Sequence, residues 1–424
     1  MTEEVTYPRY RWFLLAVGWA ILSLTSYNHS MLNVRYDLLL PVIEGGLGLT
    51  TQQFYLCIVA PSVAAIPLAF ISGLLTDRIG VKRVILYGSI VTAIGALLRL
   101  VSTGFIDLFL YSILMGAGLG TVGGNVPKLV GQWFHVRQIY LGIALFMTSL
   151  GIGPVLALAT GAMWSSYFQG FLVMGLLLAA MCVVWGIWAK DRPREFMEDG
   201  KTIVGVPFKE GLLVVMKSKP LWLIIISYAL ASGVITGYVG GMPLVLVSDK
   251  GVPEGAAGIV VALGALGYIG GIVLWSWVAE KVGYMKPIFC ICAALAGVGG
   301  FLTYMLAPGS AMWAIALLPG LFNGAVTPLI MQMPLRLKGI GLRYAGNATG
   351  LITAFGHVMS FIMLPFLFTP MWGIIGGFWA VFIFFCVFAV IAAVLFSLVP
   401  EVGRKYMVRT LKEAAAAKEA SASS

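Results

Sequence analysis

The sequence predicts an all-α membrane protein of twelve transmembrane helices, and three observations carry that prediction. Of the 424 residues, 60 % are hydrophobic and only 10 % are charged, against about 25 % charged in a soluble globule. Apolar stretches of about 20 residues, the length a helix needs to cross a hydrocarbon core about 30 Å thick, recur along the whole chain. A charged hinge between two such stretches returns in the second half, so the chain reads as a two-fold repeat.

The twelve stretches lie near 12–36, 51–75, 84–103, 106–131, 140–163, 168–189, 221–247, 256–279, 287–307, 311–334, 346–368 and 374–398. They divide the chain into an N-terminal half at 1–189, a charged connector at 190–220, a C-terminal half at 221–400 and a tail at 401–424 rich in Ala, Lys and Ser that is expected to be disordered. In this topology all of the 27 Lys and Arg except Arg35, Arg99 and Lys250 fall on or near one side. That asymmetry places both termini in the cytoplasm and makes the net charge of +10 a matter of orientation and anionic lipid, not of nucleic acid. The five cysteines are scattered through apolar segments, which points to neither a disulfide framework nor a metal site. The first apolar run is too long for the core of a cleavable signal peptide.

The hinge is Gly73-Leu-Leu-Thr-Asp-Arg-Ile-Gly-Val-Lys-Arg83. Gly73 and Gly80 let the backbone approach and turn, while Asp77, Arg78 and Arg83 can lock charge against a neighbouring helix end. Its second copy runs from Ser276 to Lys286 and aligns without gaps, Glu280 on Asp77, Lys281 on Arg78 and Gly283 on Gly80. Ser276 and Met285 depart from the pattern, so a weaker latch is expected in the second half. This pair of hinges resembles the cytoplasmic loops between helices 2 and 3, and 8 and 9, of the major facilitator superfamily. The resemblance covers nearly the whole chain. It implies two six-helix halves rocking about a central site, transport by alternating access, no enzymatic activity and a monomer in the membrane lipid. Under it the two hinges form a conformational latch.

Polar residues inside the apolar segments are the candidates for the transport path, because such groups are costly in lipid. In helix 1, Ser26, His29, Asn33 and Asp37 share one stripe at 100° per residue, and Asn28 with Arg35 share another. Arg35 and Asp37 also read as a solvated outer turn, and Arg99, near the outer end of helix 3, reads as a cation that snorkels to the surface. Helix 4 carries Thr121, Asn125, Lys128 and Gln132 on one face; the Arg that many superfamily members place four residues before the first Gly of this helix is here Ser112. The second half offers Tyr228, Ser232 and Thr236 on helix 7, Asn323 and Thr327 on helix 10, and Thr349, Thr353, His357 and Ser360 on one face of helix 11. The substrate-binding set is therefore His29, Asn33, Arg35, Asn125, Lys128, Tyr228, Asn323, Thr353 and His357.

All 17 carboxylates fall in loops, tails or near membrane ends. A path lined by His29, Arg35, Lys128 and His357 without a mid-membrane carboxylate suits a small organic anion of monocarboxylate type, with His29 or His357 as the groups able to carry a coupling proton. No cofactor or metal is called for. The alternatives are export of hydrophobic drugs, which the many aromatic and Met residues and Gly153-Pro154 keep open, and an inorganic-anion porter of the nitrate or cyanate kind.

Overall fold

A computed structural model describes residues 9–39, 41, 46–134, 139–191, 208–337 and 339–403. Among them every regular element is helical. The first group comprises α1 (Tyr10–Ser30), α2 (Thr51–Val59), α3 (Pro61–Ile79), α4 (Val81–Leu98), α5 (Phe105–Trp133), α6 (Ile139–Met147), α7 (Ser149–Thr160) and α8 (Tyr167–Trp188). A short helix in the connector, α9 (Phe208–Met216), leads to α10 (Lys219–Thr236), α11 (Met242–Lys250), α12 (Glu254–Val282) and α13 (Lys286–Met305). The chain ends through α14 (Ser310–Ile315), α15 (Leu317–Asn323), α16 (Val326–Arg336), α17 (Gly341–Ile362), α18 (Thr369–Ile375), α19 (Gly377–Phe382) and α20 (Phe388–Ser397). The 404–424 tail lies outside the described residues.

Among the described residues, ten helical segments are long and apolar enough to cross a membrane, from Thr51–Ser72 to Gly377–Ser397. Two predicted spans fall outside that set, for different reasons. The α1 helix ends in Ser26-Tyr27-Asn28-His29-Ser30, whose polarity dilutes its hydropathy, and then tightens into a 3-10 turn at Met31–Val34. The fifth is interrupted between α6 and α7, which leaves a shorter apolar helix, Leu145–Thr160. Trp19 Nε1 donates to Thr148 Oγ1 at that break (2.9 Å), which gives the interrupted backbone a side-chain anchor on α1.

Close approach of backbones, made possible by glycine, builds both groups. In the first, α3 and α4 pack on α5, α8 packs on α4 and α1, and α1 packs on α7. Gly116 of α5 sits against the Pro61 carbonyl with no room for a Cβ, and a Cβ at Gly120 would lie 2.9 Å from Leu68 Cβ. In the second, α15 packs on α12 and α13, while α20 packs on α13 and α10. Here glycine serves both partners: Gly320 lies on the Gly264 carbonyl, and Gly271 on that of Leu321. The groups meet where α3 packs on α17 and α7 packs on α12. They also touch at the end that carries Met31, where the Met31–Val34 turn meets a π turn at Gly237–Gly241 and α2 meets another at Met363–Phe368.

The two hinges adopt related geometry. Gly80 between α3 and α4 has φ +90°, and Gly283 after α12 has φ +76°, a region that favours glycine. A carboxylate from the end of each group caps the helix that follows, satisfying backbone N–H groups at a helix start. Asp191 Oδ1 accepts from Lys82 N–H at 2.8 Å and packs on Gly80 where a Cβ would have no room. Glu401 accepts from Met285 and Lys286 N–H, each at 3.0 Å, and from Val402 and Gly403 N–H at 3.0 and 2.7 Å. Sequence reading missed both carboxylates, because each lies over a hundred residues from the helix it caps. Arg78, Arg83, Glu280 and Lys281 are exposed, and Lys281 Nζ lies 4.8 Å from the Trp277 ring centroid. Gly73 lies within α3, while the side chain of Asp77 lies outside the described residues.

Candidate functional site

The polar stripes of α1 diverge. Asn33 Oδ1 lies toward the second group, 3.6 Å from the position of a Cβ on Gly240. His29, on the same stripe, is within electrostatic reach of His357 on α17 as well as of Arg99. Asn28 turns the other way, into the first group, and its Nδ2 donates to the Leu24 and Met174 carbonyls (2.9 and 3.3 Å). Arg35 follows it: only 5 % exposed, its Nη1 donates to the Gly161 and Trp164 carbonyls at 3.1 and 3.0 Å. Those bonds hold down the turn between α7 and α8, so Arg35 is neither solvated nor directed at a path. Of Asp37 only the backbone lies among the described residues.

Arg99 does not snorkel. It is 0 % exposed, enclosed by residues of α1, α5 and α8. Its Nε and Nη2 donate to Ser112 Oγ at 3.1 and 2.8 Å, and its Nη1 donates to the Asn28 carbonyl at 2.9 Å. Ser112 Oγ donates in turn to the Leu108 carbonyl (2.6 Å), which leaves its lone pairs for the guanidinium. The Phe171 ring lies 5.4 Å from the guanidinium carbon, a cation–π contact. The position that lacks the family's helix-4 cation in sequence thus receives one from the neighbouring helix. None of these partners is a carboxylate, so among the described residues no counter-charge offsets the buried guanidinium.

Along α1 run buried polar atoms without hydrogen-bond partners: Ser23 Oγ, Thr25 Oγ1, Ser26 Oγ, Asn28 Oδ1, His29 Nδ1 and Asn33 Oδ1. Such groups in a native structure call for a bound water or ligand. On the helix-4 face, in contrast, Thr121 and Asn125 are satisfied within the protein. Asn125 accepts from Thr76 Oγ1 at 2.6 Å and donates to the Thr121 carbonyl at 2.8 Å, so it joins α5 to α3. Half-buried Lys128 is engaged as well.

The second group supplies a cavity of about 210 Å³. Leu150, Gly151 and Pro154 of α7 form one wall, and Tyr228, Ser232, Tyr268, Asn323 and Thr327 form the polar part of the other. The Tyr268 hydroxyl and Thr327 Oγ1 are 3.1 Å apart, and Tyr228 reaches both. Asn323 Nδ2 lies 3.5 Å from the Ala231 carbonyl. Gly356 of α17 backs Tyr228: a Cβ there would lie 2.6 Å from the ring. One turn beyond His357, Ser360 accepts from Thr236 Oγ1 (2.9 Å) and shares a bond with Ser232 (3.3 Å). Thr353 bonds back to the Thr349 carbonyl at 2.9 Å. Tyr268 was not singled out in the sequence; the signal for it is a lone Tyr between Gly267 and Gly270 on an otherwise apolar helix.

Two glycine-packed helix groups around an interface with a buried cation and a polar cavity is an arrangement with known counterparts. The sequence profile of the Major Facilitator Superfamily matches residues 13–364. The chain belongs to that superfamily. It is therefore a multi-pass membrane transporter, and its business is transport and not catalysis. A hexuronate transporter of Bacillus subtilis is 25 % identical over 54 % of the chain, and the match spans just over half (56 %) of that protein's length. A 3-(3-hydroxy-phenyl)propionate transporter of Escherichia coli is 23 % identical over 67 % of the chain and 72 % of its own length. Monocarboxylate transporter 13 of Rattus norvegicus is 26 % identical over 65 % of the chain and 64 % of its own. Among solved structures, a bacterial homologue of the human lysosomal transporter Spinster, inward-facing and unoccupied, superposes with a TM-score of 0.68 over 93 % of the chain and 98 % of its own, at 16 % identity. That likeness concerns the fold alone.

Proposed function

We propose that the protein is a secondary active transporter of small organic anions, monocarboxylate-like, and that a proton travels with the anion. The two six-helix halves, 1–189 and 221–400, rock about the interface that holds His29 and His357. The termini lie in the cytoplasm, and the Met31 end, where the halves touch, is the closed outer gate of this conformer. The observation that carries the reading is Arg99, a guanidinium that is 0 % exposed and held by Ser112, Asn28 and Phe171 with no carboxylate among its contacts with the described residues. Its charge extends to His29, so an anion entering the interface is drawn to the α1 side while an organic cation is repelled. The carboxylates named in three relatives, a hexuronate, a phenylpropionate and monocarboxylates, agree with that sign.

Uptake into proteoliposomes tests it. Labelled small carboxylates should accumulate when the outside is made acidic, and the accumulation should disappear when a protonophore collapses the gradient. Accumulation of amphipathic cations with no movement of any carboxylate would instead establish drug export.

A further inference from the structure

The two walls of the interface offer different chemistry, and the difference describes the shape of the cargo. On one side Arg99 is a fully buried cation with His29 of α1 within its electrostatic reach. The cavity of about 210 Å³ between α7 and the second group carries the hydroxyls of Tyr228, Tyr268, Thr327 and Ser232 and the amide of Asn323, and among the described residues none that lines it is an acid, a base or a histidine. A carboxylate placed in that cavity would exchange its hydration for neutral donors alone, at a large cost. A neutral hydroxylated body fits better. Each hydroxyl can donate once and accept twice, so the Tyr268 and Thr327 pair, 3.1 Å apart, retains capacity for a further hydroxyl. The tyrosine rings and the apolar wall of Leu150 and Pro154 supply flat and aliphatic surface to either side of it. The size is limiting as well, because drug-sized ligands occupy pockets of about 300–1,000 Å³.

We infer that this cavity is the subsite for the uncharged end of the substrate, and that the substrate class is a compact ring bearing both a carboxylate and at least one hydroxyl. The ring and its hydroxyl occupy the Tyr228, Tyr268 and Thr327 cavity. The carboxylate faces His29, whose Nδ1 has no partner and donates to it in the tautomer that carries the proton there, with Arg99 within electrostatic reach of the same imidazole; the unpartnered Asn33 Oδ1 is left to accept from a hydroxyl of the substrate. This assignment rests on the anion reading above, which it refines by giving the substrate a direction.

The test is equilibrium binding to the full-length protein in nanodiscs, with 3-hydroxybenzoate, benzoate and 3-hydroxybenzyl alcohol as probes. In the wild type the hydroxyacid should bind at least about tenfold more tightly than benzoate, and more tightly than the alcohol. Thr327→Val and Tyr268→Phe should shrink the hydroxyacid-to-benzoate ratio to within about twofold, while Thr327→Ser, which restores the hydroxyl, should return most of it. Equal binding of benzoate and 3-hydroxybenzoate, with both acids still preferred over the alcohol, overturns the subsite and leaves the anion reading standing. Equal binding of acid and alcohol overturns the anion reading itself. A ratio that survives in Thr327→Val and Tyr268→Phe, both with wild-type melting temperatures, places the hydroxyl elsewhere and also overturns the subsite.

Discussion

The α1 helix of the first group and the cavity wall of the second satisfy their polar atoms in opposite ways. On α1, Ser26, Asn28, His29 and Asn33 all present enclosed atoms without partners, and the Asn28 carbonyl accepts from a guanidinium that has no counter-charge among its contacts with the described residues. Across the interface Tyr268 pairs with Thr327, Thr236 pairs with Ser360, and Asn323 reaches a backbone carbonyl. The lesson is that a two-fold repeat of sequence does not give a two-fold repeat of chemistry. One half holds charge in reserve for an incoming group, and the other forms a neutral, self-satisfied cup. Backbone packing that depends on glycine is shared by both, so the fold is symmetric where the site is not.

Removing the charge should break the comparison most. Arg99→Gln is expected to lower affinity for carboxylates at least about tenfold, a loss of at least about 1.4 kcal/mol. Arg99→Lys should lose less, since it keeps the charge but not the fork that spans Ser112 and Asn28. The exchange Arg99→Ser with Ser112→Arg should recover binding relative to Arg99→Ser alone, because the cation returns to the same place from α5. Isothermal titration checks all three, and an Arg99→Gln protein with unchanged affinity would show that the guanidinium only braces helices.

A smaller effect should separate the histidines. His29→Gln and His357→Gln are expected to reduce gradient-driven accumulation several-fold while sparing exchange of internal for external anion, as measured in preloaded proteoliposomes. Retention of full pH-driven uptake in both variants would remove the imidazoles from coupling. On the other wall, Gly356→Ala should press on the Tyr228 ring and weaken binding by about three- to tenfold without reversing the preference for anions. The same loss for the alcohol probe as for the acids would be expected, since the cup and not the charge is disturbed.

The smallest effects concern the helix caps. Glu401→Gln and Asp191→Asn should each cost about 0.5–2 kcal/mol of stability, as lost helix caps do. The larger loss belongs to Glu401, which accepts from four backbone N–H groups where Asp191 accepts from Lys82. Thermal unfolding in detergent ranks the two. A reversed order would mean that the second hinge is the weaker latch, as its departures at Ser276 and Met285 led one to expect.

What the sequence by itself determined is the membrane character, the superfamily, the duplicated hinge and the helices that carry polar groups. These rest on composition, apolar length and periodicity, which are properties of contiguous chain. It also grouped Asn28 with Arg35 and His29 with Asn33, because 100° per residue is enough to say which side chains point together, but not where either stripe points. The tertiary structure alone decided where those stripes end. Arg35 near an outer turn and Arg99 near a helix end look alike in sequence, yet one holds the Gly161 and Trp164 carbonyls and the other lies buried on Ser112. The helix-4 face that reads as one polar stripe is divided, with Asn125 joined to Thr76 of α3. The cup of Tyr228, Tyr268 and Thr327 draws on three helices about 40 and 60 residues apart, and no local pattern links them. The physical reason is the same throughout. In a membrane the hydrophobic effect places a helix in the bilayer but does not choose its neighbours, and only the packing of small residues between helices sets which polar group meets which.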